Sequence, residues 1–176
     1  MTELGQALRF KESELRSMGR TGAGVRGIKL AKSDTLTSME VVEPGGSLLV
    51  VTANGYGKRS KLGLYPTRHR STKGISTTSK KARETIGVIA SARVVQDSDD
   101  ITIMSANGHI LRAKVKKLRL AGRATKGVKL MNIKDGDRVA SIARISKEEL
   151  IKHGAIKDDH MRLGATRLGF GRMFGP

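Results

Sequence analysis

The chain has 176 residues, 38% hydrophobic and only 3% aromatic, with 21 glycines, a composition that suits one folded domain packed from Val, Ile, Leu and Met on short strands. Its 34 Lys and Arg against 16 Asp and Glu leave a formal charge of +18, far beyond what solubility requires, and point to a polyanionic partner. With no cysteine, disulfides and thiolate chemistry are excluded, and no apolar run reaches the ~18–20 residues of a membrane span, so a cytoplasmic protein with no membrane partner is expected.

From the N-terminus, Thr2-Glu3-Leu4-Gly5 followed by Arg9 recurs as Thr52-Ala53-Asn54-Gly55 with Arg59, and as Ser105-Ala106-Asn107-Gly108 with Arg112. A second landmark, Gly19-Arg20 with Gly24-Val25, recurs as His69-Arg70 with Gly74-Ile75 and as Gly122-Arg123 with Gly127-Val128. Both landmarks step by 50 and then 53 residues, so three copies of one unit are expected at about 1–46, 47–99 and 100–145. In the first copy, 36–42 reads as a late strand, and the strand that would precede Thr2 is missing, as in a piece of a longer array. In the second, the β-branched run 47–52 enters Ala-Asn-Gly, 56–62 returns, and 86–95 is a late strand. The third repeats this with 101–105, 109–115, 127–131 and, after Lys134-Asp135-Gly136-Asp137, 138–145. Asn-Gly predicts a type I′ turn, whose two central residues both take positive φ. Ser146-Lys147-Glu148-Glu149 is a capping box opening a short helix through Ile151, and the aperiodic stretch 154–176 reads as a flexible tail. The fold class is therefore all-β: a propeller-like array of about three four-stranded blades over 1–145, with helix and tail over 146–176.

Two lines of basic residues recur. One lies in the loops after the hairpins, with Arg20, then Arg68, Arg70 and Lys73, then Arg123 and Lys126; glycine and small hydroxyl residues beside these charges suit close approach to phosphate. The other follows the hairpin turns, with Arg9, then Lys58, Arg59 and Lys61, then Arg112, Lys114 and Lys116, the last three alternating with Leu111, Ala113 and Val115 so that one strand face would carry charge. Gly22 to Gly27 has dinucleotide-loop spacing but no strand–turn–helix around it, and Gly55-Tyr56-Gly57-Lys58 lacks the spacer of a Walker loop. His69, His109, His153 and His160 lack ligand spacing, and Asp97, Asp99 and Asp100 read as a solvated turn between repeats. Neither catalytic residues nor a metal or cofactor site is expected.

The segments Leu8-Arg9-Phe10, Met18-Gly19-Arg20, Gly24-Val25-Arg26-Gly27-Ile28-Lys29-Leu30, Val51 to Arg59 and Gly122 to Val128 resemble the C-terminal domain of the A subunit of bacterial DNA gyrase, with the topoisomerase IV domain as a more distant relative. The resemblance implies a β-pinwheel whose blades exchange strands and whose basic rim bends duplex DNA, with Arg26 added to the contact set. It further implies two partners, the rest of the gyrase A subunit together with the gyrase B subunit, in an ATP-dependent enzyme whose cleavage domain this chain lacks. Only the last three of the usual six blades are matched, and Arg68 to Gly74 is the nearest counterpart of the gyrase box, so self-association is also open. A protein-interaction scaffold and an RNA-binding module are the alternatives.

Overall fold

A computed structural model describes residues 1–154, so the expected tail beyond Gly154 lies outside the described residues. In chain order the elements are β1 (Gln6–Ala7), β2 (Ser47–Thr52), β3 (Tyr56–Lys61), β4 (Ile75–Ser76), α1 (Lys80–Ile86), β5 (Ile89–Val95), β6 (Asp100–Ser105), β7 (Ile110–Lys114), β8 (Val128–Lys129), β9 (Val139–Ile145) and α2 (Lys147–Lys152).

The architecture follows from β2. Its sequence, Ser-Leu-Leu-Val-Val-Thr, is buried at every position, as a strand covered on both faces must be. Leu48 and Val50 join Ala7, Tyr65, Ile89, Ala92 and Val94 on one side. On the other side, Leu49 and Val51 join a cluster that includes Val95, Ile101, Ile103, Leu118 and Ile142. The core is thus two apolar layers between three sheets stacked face to face, as expected of blades.

Strand exchange completes the sheets. The second has the order β5-β2-β3-β8, so its outer strand comes from the third copy, and β4 of the second copy pairs with β1 of the first. The registers agree across the two junctions: Ala7 lies opposite Ile75, and Gly57 opposite Val128. Among the described residues the third sheet, β7-β6-β9, has three strands, all of the third copy.

Four local expectations need correction. Only Gly55 and Gly108 of the hairpin turns take positive φ, while the asparagines before them do not. Gly55 N–H reaches Thr52 C=O at 3.0 Å, and the left-handed glycine closes the turn alone. Asn54 instead donates its side-chain amide to Thr85 C=O at 3.0 Å. A helix, α1, starts the segment read as strand from residue 86, with Ser79 Oγ capping Ala82 N–H and Gly87 at φ +78° ending it. Segment 36–42 forms one isolated bridge, Thr2 with Leu36, rather than a strand. Thr37 Oγ1 donates to Ala90 C=O and Ser38 Oγ accepts from Ala92 N–H, so side chains do the work of the ladder there. Asp99 and Asp100 are buried rather than solvated: Arg144 reaches Asp99 at 2.6 Å and Arg112 reaches Asp100 at 3.0 Å. The capping box of α2 forms as read, with Ser146 and Glu149 each capping the other's N–H.

Candidate nucleic-acid interface

Each hairpin's returning strand runs into a 3-10 turn (Glu12–Glu14, Leu62–Leu64, Val115–Lys117), then a basic loop, and in the later two copies the exchanged strand β4 or β8. Stretches 46–83 and 101–134, which carry the second and third hairpins and loops, contain no Asp or Glu. Glu14 of the first copy's 3-10 turn reaches the second loop, accepting from Arg70 N–H at 3.0 Å and facing His69 Nδ1 at 3.4 Å, while other acidic side chains gather at the junctions between copies. There Arg144 binds Glu43 with two parallel bonds of 2.8 and 3.0 Å, and Arg93 meets Glu40 at 2.6 Å. The Arg144 hydrogen bonds hold the Glu43 carboxyl below its ordinary range, against the opposing effect of burial. Several opposite charges are paired between blades, and the loops keep an excess of positive charge.

The proposed contact residues divide by what already occupies their donors. Lys58 and Arg59 are corrections: they are 3% and 6% exposed, and their donors are turned inward. Lys58 Nζ donates to Thr77 C=O at 2.7 Å and to the Arg123 and Thr125 carbonyls, which saturates its three N–H bonds. Burial pushes its pKa down to about 8, with Arg123 adding to the effect. Arg59 Nε donates to Leu118 C=O at 3.1 Å, and its guanidinium pairs with Asp97. Arg9 is half-buried and holds Leu62 C=O at 3.3 Å, while Arg112, though its side chain is half exposed, is committed to Asp100.

In the second and third copies the arginine that recurs in the loops joins neighbouring copies. Arg70 donates to Arg26 C=O at 3.1 Å, and Arg123 donates to Ser76 C=O, the same acceptor position one copy on. Both are half-buried, and Arg20 is exposed. Arg26, Lys61, Arg68, Lys73, Lys114, Lys116 and Lys126 are exposed as well. Arg112 and Lys114 share the outer face of β7 as the alternation predicts, but Lys116 leaves that face because the strand ends in the 3-10 turn. Lys11, at the position of Lys61 and Lys114, is exposed too and had escaped notice, although the 50- and 53-residue steps align the three. Lys126 and Lys129 lie 5.9 and 6.0 Å from the Tyr56 ring centroid, which gathers charge from the third copy against the second hairpin.

Stacked sheets that borrow an outer strand from the next repeat define a strand-exchanging β-propeller-type domain. The profile of the family described as "DNA gyrase C-terminal domain, beta-propeller" matches residues 1–43, 46–96 and 99–146, and the chain belongs to that family, a domain of type IIA topoisomerases. It is 39% identical over 143 residues to the A subunit of DNA gyrase from Salmonella typhimurium, covering 81% of this chain and 16% of that protein. Against the A subunit of DNA gyrase from Mycobacterium tuberculosis it is 38% identical over 146 residues, covering 82% and 17%. The chain therefore spans only about a sixth of the length of these relatives. A crystal structure of the C-terminal domain of DNA topoisomerase IV superposes with a TM-score of 0.79 at 27% identity, covering 94% of this chain and 50% of that one. A structure of the DNA gyrase A C-terminal domain gives 0.76 at 26% identity, covering 82% and 48%. Among the described residues no helix is long and apolar enough to cross a membrane.

Proposed function

We propose that the chain is a non-catalytic module that binds duplex DNA by its phosphates and bends it along the basic loops of successive blades, in the service of DNA supercoiling by a bacterial, cytoplasmic type IIA topoisomerase. The gyrase B subunit, with the remainder of the A subunit, completes the enzyme in that reading. The observation that carries it is the loop surface of the second and third copies, whose own stretches contain no Asp or Glu and where Lys61 and Lys73 are followed one step on by Lys114 and Lys126, with Arg68 and Lys116 in the same stretches, all exposed. Arg20 and Arg26 extend that surface onto the first copy. Arg70 and Arg123, each with one N–H on a neighbouring carbonyl, hold the loops in place and keep further donors for phosphate. Lys58 and Arg59 are left out of the contact set because their donors are taken.

Among the described residues no helix of recognition length stands on this surface, since α1 has 7 residues, so the grip falls on backbone and deformability rather than base edges. Bending a 20–30 base-pair site costs on the order of 1–6 kcal/mol, which release of counterions from several phosphates offsets. The test is the affinity for a mixed-sequence duplex as salt is raised. A log–log slope of about −4 or steeper, equal for unrelated sequences, supports the reading, and a flat response rejects it.

A further inference from the structure

One carboxylate reaches into the basic loops. Glu14, in the 3-10 turn Glu12–Glu14 of the first copy, accepts Arg70 N–H on Oε2 at 3.0 Å, and its Oε1 faces His69 Nδ1 at 3.4 Å. His69 and Arg70 belong to the second loop, between the exposed cations Arg68 and Lys73. The His69 side chain is 93% exposed and that of Glu14 24%, so the two meet at the surface rather than inside the junction.

The repeat does not require this acid. The 50- and 53-residue steps put Leu64 and Lys117 at the position of Glu14, and Leu64 has no acceptor to offer the third loop, where Arg123 stands in place of Arg70. The third loop nevertheless docks on its neighbour by the same main-chain bond: Ala121 N–H reaches Arg59 C=O at 2.8 Å, as Arg68 N–H reaches Arg9 C=O at 2.8 Å. The second loop has further ties to the first copy. Ser71 N–H reaches Gly27 C=O at 2.6 Å, Lys29 N–H reaches Thr72 C=O at 2.9 Å, and Arg70 Nη1 and Ser71 Oγ both donate to Arg26 C=O at 3.1 Å. With the loop fastened by these bonds, the Glu14 carboxylate can leave without undoing the junction.

What the carboxylate meets is a donor set for an oxyanion. A main-chain N–H and an imidazole N–H, flanked by guanidinium and ammonium groups, suit a phosphate oxygen as well as a carboxylate oxygen. A phosphate and Glu14 cannot both hold these donors, because like charges would then stand within a few ångströms of each other. We propose that Arg70 N–H and His69 Nδ1 form a phosphate subsite of the second loop, and that Glu14 is its resident anion, displaced by a phosphate of the bound duplex. The inference rests on the DNA-binding reading above and adds to it a main-chain donor, an imidazole and a competitor. The ligand is a duplex phosphodiester rather than a free phosphate, because Arg68 and Lys73 flank the subsite in sequence and a row of cations suits a row of phosphates. Since Leu64 leaves the third loop without such a competitor, the second blade holds the duplex less firmly than the third.

Duplex affinity as salt is raised, compared among the wild type, Glu14→Gln and Glu12→Gln, tests it. Glutamine at 14 removes the charge while keeping an acceptor for Arg70 N–H. Glu12 is exposed on the same turn, and its side chain bonds no described residue, so Glu12→Gln removes an equal charge without touching the loop. Both variants are expected to keep the wild-type circular dichroism. Glu14→Gln is expected to bind about fivefold more tightly at low salt, with a log–log slope steeper by about one, and Glu12→Gln to change affinity by about twofold or less with the slope unaltered. The His69 ring resonances of the wild type should shift on adding duplex and stay in place with inorganic phosphate at the same phosphate concentration. The inference is overturned, with the DNA-binding reading left standing, if a salt-dependent wild type is joined by a Glu14→Gln variant that binds no more tightly than Glu12→Gln or that loses its fold. His69 resonances that ignore the duplex, or that follow inorganic phosphate, overturn it as well. A wild type whose affinity does not respond to salt removes both.

Discussion

Lys58 shows how much a single position depends on what packs over it. In sequence it is one cation in Lys58-Arg59-Ser60-Lys61, beside a turn, and reads as part of a charged edge. The repeat steps place it at the position of Leu8 and Leu111, and this apolar company was the available signal that it faces inward. Replacing it with methionine keeps the length but leaves the Thr77, Arg123 and Thr125 carbonyls without their donor. Lys58→Met is therefore expected to lower stability by about 2–3 kcal/mol at pH 7, read from a urea midpoint. The pH dependence has a definite sign. Because its pKa in the fold, about 8, lies below that of an unfolded lysine, the folded chain releases this proton first as pH rises. The unfolded chain then binds more protons, and stability gains with pH from about 8 to about 10. Lys58→Met removes that gain, so the two urea profiles should diverge from pH 8 upward, and parallel profiles would reject the account. Above pH 10 the buried Tyr65 hydroxyl, pushed up by its burial, acts with the opposite sign.

At the scale of elements, local pattern located the hairpins and the late strands of the second and third copies, because alternation and β-branching are properties of a few neighbouring residues. It could not say which hairpin β8 joins. Val128-Lys129 reads as strand in any partnership, and its pairing with Tyr56 and Gly57 is fixed by the stacking of blades more than 70 residues apart in sequence. Exchange entered the reading only through family resemblance. Helix α1 was missed although Ser79 and Gly87 flank it as caps, because β-branched Ile86 drew the strand reading past the glycine. The two glycines at equivalent positions give a direct comparison. Gly127→Ala forces a Cβ against Gly57 C=O in addition to left-handed strain, and should cost about 3 kcal/mol or more. Gly24→Ala meets open space and should cost about 1–2 kcal/mol from strain alone. Equal midpoint shifts for the two variants would contradict the assigned role of the exchanged strand.

For the whole molecule, the net charge of +18 announced a polyanion without saying where it would lie. Stacking three copies sorts the charges: acids pair with Arg93 and Arg144 between blades and with Arg112 within the third sheet, and lysines stay on the loops. The repeats were legible because two landmarks shared one register. The contact set was legible only in part, since a cation facing a carbonyl and one facing water look alike in sequence. Arg70 and Arg123 recur for a reason the sequence shares with phosphate binding, namely that a guanidinium satisfies oxygen acceptors of either kind. The claim that the exposed loop lysines meet phosphate is tested most directly by comparing the salt dependence of duplex affinity for the wild type and for Lys73→Glu combined with Lys126→Glu. The account predicts weaker binding to every sequence and a log–log slope shallower by about two; an unchanged slope and affinity would contradict it.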